Sequence, residues 1–256
     1  MTVAKAGEAG TPQGAAEAKA VAASLADWWR LSGHDVALAA RPVPWLKLRG
    51  VRPRDDQRET ARHAPRASIA PEPATLPQLS SLAELEAHVR ASAPGAVFAD
   101  GDPASGAMLL GEAPSAEDLR TGRPFTGPAG QLLDRMLAAI GRNRGSTYIA
   151  LLVCRQPFPG TPSDEAVAAD LAIARAHVRL AAPKALLLLG ARPTHALTGR
   201  KEPISKLRGT WLEAILDDGS RVPALPTFNP AYLLRAPEAK REAWADLLAF
   251  AKRLSP

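Results

Sequence analysis

The sequence predicts an α/β domain in which a mostly parallel sheet lies between two helical layers, preceded by a small helical extension. Three observations carry that class. Between residues 82 and 254, segments with strand character alternate with segments of helical period, the order that crossover helices between parallel strands produce. The runs Ile149-Ala-Leu-Leu-Val153 and Ala185-Leu-Leu-Leu-Leu189 are apolar without alternation, as expected of strands covered on both faces. The run Ala107-Met-Leu-Leu110 ends in a loop crowded with Gly, Pro, acids and one Phe, which feeds a helix repeating Leu132, Leu133, Met136, Leu137 and Ile140.

Element by element, the chain divides into an extension over 1–50, a linker over 51–79 and the α/β domain over 80–256. Residues 1–19 are rich in Ala, Gly and Glu and read as disordered. Val21, Leu25, Trp28, Trp29 and Leu31 fit a short amphipathic helix ending near Gly33, with the tryptophans as packing anchors rather than a functional patch. Residues 51–77 mix charge and proline without period, the signature of an extended linker. The domain then opens with a helix entered through Ser80-Ser81. Strands are expected at 107–110, 147–153, 185–189, 210–214 and 222–227, and helices at about 127–140, 164–180, 192–197 and 239–254.

Composition narrows the classes of function. No apolar run reaches the roughly 20 residues that span a bilayer, and the N-terminus lacks the apolar region of a secretory signal. No membrane partner is expected, and the chain reads as a cytoplasmic monomer. The net charge of +6 favours polyanionic partners only mildly. Cys154 is the only cysteine, which excludes an internal disulfide and cysteine-rich zinc sites, and the histidines show no ligand spacing. No metal is expected.

Open α/β sheets bind ligands outside the carboxyl ends of their strands. Four segments sit there: the loop Gly111 to Asp134, Cys154-Arg-Gln-Pro-Phe-Pro-Gly160, Gly190-Ala-Arg-Pro-Thr194 and Thr227 to Pro237. An ordinary strand-to-helix turn needs only a glycine or two, whereas the first loop is long, rigid and carries Phe125. In the last, Tyr232, Leu233, Leu234 and Arg235 stand between two prolines. An apolar wedge beside an Arg is a device for prying a base from its stack while gripping phosphate. The plainer alternative is that Leu233 and Leu234 begin a helix and face the core.

The blocks Gly111-Glu-Ala-Pro, Gly122-Arg-Pro-Phe-Thr-Gly-Pro-Ala-Gly-Gln-Leu-Leu-Asp134, Cys154-Arg-Gln-Pro157, Pro183-Lys-Ala-Leu-Leu-Leu-Leu-Gly190, Arg208-Gly-Thr-Trp211 and Asn229-Pro-Ala-Tyr-Leu-Leu-Arg235, in that order, resemble the uracil-DNA glycosylase superfamily. The nearest branch is family 4, the iron–sulfur type. The resemblance covers about residues 82–254. It implies a four-stranded, mostly parallel sheet with helices on both faces, DNA as partner, and hydrolysis of the N-glycosidic bond of a flipped uracil. By the same likeness Glu112 and Asn229 take the catalytic positions. Phe125, Ala113, Ser115 and Ala150 take the base-binding ones, with Thr126 helping to line the loop. Leu233, Leu234 and Arg235 take the DNA contacts.

Three departures stand beside it. Ala150 occupies the place of an Asn that reads the uracil edge, and Asn229 that of a His that stabilises the departing base. An amide donates a hydrogen bond but carries no charge. Of the branch's four cluster cysteines only Cys154 is present; the later partner falls at Asp170 and the early pair within 88–102, which has no Cys. No cofactor is therefore expected. Three readings follow: an altered glycosylase acting on uracil or a related damaged base; a glycosylase fold serving as a DNA-binding or repair-interaction module; or a crevice for a small nucleotide-like ligand.

Overall fold

The structure, a computed structural model, describes residues 76–154 and 164–255. The N-terminal extension with its tryptophan pair, most of the linker, and residues 155–160 of the loop after Cys154 lie outside the described residues.

Helix α1 (Leu82–Ser92) begins at Ser81, whose hydroxyl accepts the Glu84 N–H at 3.2 Å. Then come β1 (Ala99–Gly101), β2 (Ala107–Gly111), α2 (Ala116–Thr121), α3 (Pro128–Ala139), β3 (Tyr148–Leu151) and α4 (Asp164–Ala181). The second half runs β4 (Ala185–Leu189), α5 (Ala191–Thr198), α6 (Ile204–Leu207), β5 (Leu212–Ile215), β6 (Arg221–Thr227), α7 (Pro230–Arg235) and α8 (Lys240–Leu254).

The sheet has six strands in the order β1-β3-β2-β4-β6-β5. Its inner strands β3, β2, β4 and β6 are mutually parallel and supply the expected four-stranded core. An antiparallel strand closes each edge, β1 against β3 and β5 against β6, so the sheet is mixed and wider than the resemblance implied. Strand β1 is only Ala-Asp-Gly, which has no strand propensity; it exists because β3 offers it a ladder.

Alternation along the buried strands sorts side chains into two layers. Leu109, Ile149, Leu187 and Leu225 pack with α3, α7 and α8. Met108, Leu110, Ala150, Leu186 and Leu188 pack with α4 and α5. Each leucine so buried stabilises the fold by about 1.5–3 kcal/mol before cavity effects. A smaller cluster joins Leu85 and Val89 of α1 to Phe98, Cys154 and Ile173. No helix among the described residues is long and apolar enough to cross a membrane.

This topology places the site. From β2 the chain moves to β3 on one side, then returns through α4 to β4 on the other. The strand order reverses between β2 and β4, and a crevice must open beyond their carboxyl ends. Glu112 follows β2 there, and Gly190 follows β4.

Candidate functional site

A cleft of about 970 Å³ lies at that switch point. Glu112, Phe125, Gly190, Ser205, Asn229 and Arg235 are among its lining residues, drawn from the segments after β2, β4 and β6 and from α6. Three of the four sequence-predicted segments thus meet.

The loop after β2 is held by one buried carboxylate. Ser115 caps α2 and its hydroxyl accepts the Asp118 N–H at 3.1 Å, while Asp118 accepts the Ser115 N–H at 2.8 Å. The other oxygen of Asp118 accepts the N–H and the hydroxyl of Thr126, at 2.6 and 2.8 Å. A single side chain therefore ties the start of the loop to its end. Asp118 is 4% exposed, so losing it would strand two backbone donors.

Phe125 sits between these fixed points with φ at +56°, a conformation that a bulky residue adopts only when its surroundings compel it. The compulsion is visible. Arg144 donates to the carbonyl of Pro124 at 3.0 Å and to that of Phe125, and its guanidinium also binds Asp100 and Asp134, each at 2.7 Å. A Cβ on Gly130 would stand 1.7 Å from the Phe125 carbonyl oxygen, and one on Gly111 2.5 Å from the ring. Glycine is required at both places because the backbone and the ring of Phe125 occupy the room.

Glu112 lies immediately past the sheet, half-buried. Burial pushes its carboxyl above the usual range, and the Arg192 guanidinium, 3.6 Å away on the first turn of α5, opposes that rise. Ala113 is half-buried beside it and lines the cleft, as do Ser115 and Phe125.

On the other wall Asn229 caps α7. Its Oδ1 accepts the Ala231 N–H at 2.8 Å and its Nδ2 donates to the Leu189 carbonyl at 3.4 Å. The amide is at the cleft, yet its oxygen is engaged by the helix it starts. Arg208 and Thr227 bind the buried Asp246 behind this wall, Arg208 Nε at 3.0 Å and Thr227 Oγ1 at 2.7 Å, which anchors the strand end from which Phe228 and Asn229 emerge.

Two sequence expectations need correction here. Leu233 is fully buried and packs in the core with α3 and α8, so it is no wedge. The helix α7 turns Leu233 inward and leaves Leu234 outward, 41% exposed. Tyr232, 40% exposed, lines the cleft with its ring centroid 5.1 Å from that of Phe228, and exposed Arg235 stands at the rim. Ala150 is the second correction. Strand alternation points it to the α4 layer, where it is fully buried, and it does not line the cleft.

The cluster positions also converge, but on different chemistry. Cys154 Sγ lies 3.5 Å from Asp170 Oδ2, and the same oxygen accepts the Cys154 N–H at 3.0 Å. Both residues are buried, and Leu85, Val89, Phe98 and Ile173 fill the space around the thiol. Among the described residues no group of three or more His, Cys, Asp or Glu is arranged to hold a metal. One thiol and one carboxylate in an apolar pocket do not fit an iron–sulfur cluster, and no step is derived through one.

Several residues that build the site escaped sequence reading. Asp118 had a signal, the Ser115-x-x-Asp118 spacing of a capping box, in a helix too short to show periodicity. Arg144 and Asp100 had none, since both act on a loop about 20 or more residues away.

Fold and cleft define an open α/β protein with a switch-point site that combines an aromatic ring, a desolvated carboxylate, an amide and a rim arginine. Comparison with known proteins gives the family. The family model for the uracil DNA glycosylase superfamily matches residues 98–248, and the chain belongs to that superfamily. It is 35% identical over 160 residues to the type-4 uracil-DNA glycosylase of Pyrobaculum aerophilum, covering 60% of this chain and 81% of that one. With its counterpart from Thermotoga maritima it shares 36% identity over 141 residues, 54% of this chain and 71% of the relative. The Saccharolobus solfataricus protein of the same name is 29% identical over 166 residues, 62% and 76% of the two chains.

Proposed function

We propose that the protein is a DNA repair glycosylase that hydrolyses the bond between deoxyribose and a flipped uracil or related damaged base. The observation that carries this reading is the meeting of Glu112, Phe125, Asn229 and Arg235 in one cleft, from segments far apart in the chain. Phe125 supports the base from beneath, a stacking contact worth roughly 1–3 kcal/mol. Glu112 holds the attacking water, and its negative charge favours the positive charge that develops on the sugar. The water oxygen bonds to C1′, the C1′–N bond breaks with its electron pair going to the base, and the water's proton passes to Glu112 or solvent. The departing base meets the Nδ2 donor of Asn229, a weaker partner than a cation. Leu234 fills the space the base vacates, and Arg235 grips the flanking phosphate. No cofactor enters this scheme, and the protein works as a monomer.

Oligonucleotides bearing uracil, hypoxanthine or xanthine, single- and double-stranded, test the reading. Free base and an alkali-labile abasic site are expected from at least one of them, and only with Glu112 intact. A second reading, a glycosylase fold that binds DNA without cutting it, gains support from the engagement of the Asn229 oxygen in capping α7. Binding that weakens steeply with salt, without any abasic product, would establish it.

A further inference from the structure

The first turn of α5 carries a cation into the neighbourhood of the cleft. Gly190 follows β4 with φ at +108°, and its backbone packs against Asn229, leaving 3.3 Å between a built Cβ and the Asn229 Cβ. That close approach sets where α5 starts and therefore where its second residue, Arg192, projects. The guanidinium reaches Glu112 at 3.6 Å through Nε and the exposed Asp164 at the start of α4 at 3.1 Å through Nη1. The two acids are unequal partners. Asp164 is 95% exposed, where a salt bridge contributes little, whereas Glu112 is only 26% exposed and its charge is costly to hold without a partner.

We propose that Arg192 is a positioning residue for Glu112: by pairing with one carboxylate oxygen it orients the carboxyl group and leaves the other oxygen turned to the cleft for water. This rests on the glycosylase reading given above. The charged and polar neighbours on every side fit the assignment. Glu117 and Asp118 of α2 and Tyr232 of α7 also line the cleft and Arg235 of α7 lies at its rim, while Arg192 is the cation that contacts Glu112 among the described residues. Burial alone favours the protonated acid, which cannot hold a water as acceptor and brings no charge to the sugar. A cation on one oxygen counters this and fixes the plane of the carboxyl group.

The test reads the titration of Glu112 directly. Carboxyl carbons of the full-length protein are labelled and followed by NMR between pH 3 and 8, with Glu112→Gln identifying the signal. Arg192→Gln is expected to move the Glu112 midpoint to higher pH, Arg192→Lys to restore most of it, and Asp164→Asn to leave it in place. An unmoved midpoint in Arg192→Gln overturns the proposal, whether or not the protein cuts DNA. In glycosylase assays the acid limb of the single-turnover rate moves with that midpoint. The loss for Arg192→Gln is expected to be about tenfold at the acid end and to shrink as rising pH deprotonates the unpaired carboxyl group. A pH-independent loss of equal size in the Gln and Lys variants would mark Arg192 as merely structural and also overturn the proposal.

Discussion

The two walls of the cleft are built to opposite plans. The wall after β2 separates support from chemistry: Asp118, Arg144, Asp100 and Asp134 hold the loop, while Phe125 and Glu112 face the cleft. The wall after β6 merges them. Asn229 is both the N-cap of α7 and a polar side chain lining the cleft. A residue that must satisfy a helix terminus has one less hydrogen-bonding group for a ligand, and its orientation is dictated by the helix. The difference shows which wall presents side chains to the cleft that are not committed to capping a helix.

The sharpest way to break this contrast is Glu112→Gln. Base release should fall by about 10²–10⁴-fold in single-turnover assays while DNA affinity stays nearly constant, because the amide keeps the shape and loses the charge. A small effect would move the water-activating role elsewhere.

Acid titration sets the range within which such comparisons are clean. His177 is fully buried with Nδ1 2.8 Å from the Tyr148 hydroxyl and no partner for Nε2 among the described residues, and burial lowers its pKa from the usual 6.5 to about 3. The folded state therefore binds this proton less readily than the unfolded state does. The stability it contributes is complete above pH 6.5 and declines as pH falls from 6.5 towards 3. The slope is at most about 1.4 kcal/mol per pH unit. Urea denaturation of the wild type at several pH values should show it, and His177→Phe should flatten it.

Phe125→Ala should weaken base-specific binding by roughly 1–3 kcal/mol, read as the affinity difference between damaged and undamaged oligonucleotides. Unchanged discrimination would sink the stacking role. On the opposite wall, Asn229→Ala removes a cap and should lower stability by about 1 kcal/mol by thermal melting. Asn229→Asp keeps the capping acceptor and removes the donor. If Nδ2 assists the leaving base, only the second variant should retain stability and still lose rate.

How much of this was legible beforehand depends on the range of the interactions involved. The parallel core, its helices and the helix start at Ser81 are written locally, in apolar runs, periodicity and capping residues. Resemblance pointed to Glu112, Phe125 and Asn229 as site residues, and the cleft brings all three together. Leu233 and Leu234 could not be separated from sequence, because only the helical turn of α7 sends one inward and the other out. Ala150 was misplaced for a related reason. The family resemblance put it at the base-reading position, while the two-residue period of β3 points its side chain at α4.

The sequence by itself determined the class of fold, the family and the absence of four thiolates, since each is a matter of residue identity and order. Tertiary structure alone decided that Asp118 and Arg144 hold Phe125 in a left-handed conformation and that Asp170 answers Cys154. It also decided that Arg192 meets Glu112. These contacts join residues 8 to 80 positions apart. Apart from the Ser115-x-x-Asp118 capping spacing, no local pattern encodes them, because they form only where the chain folds back onto itself.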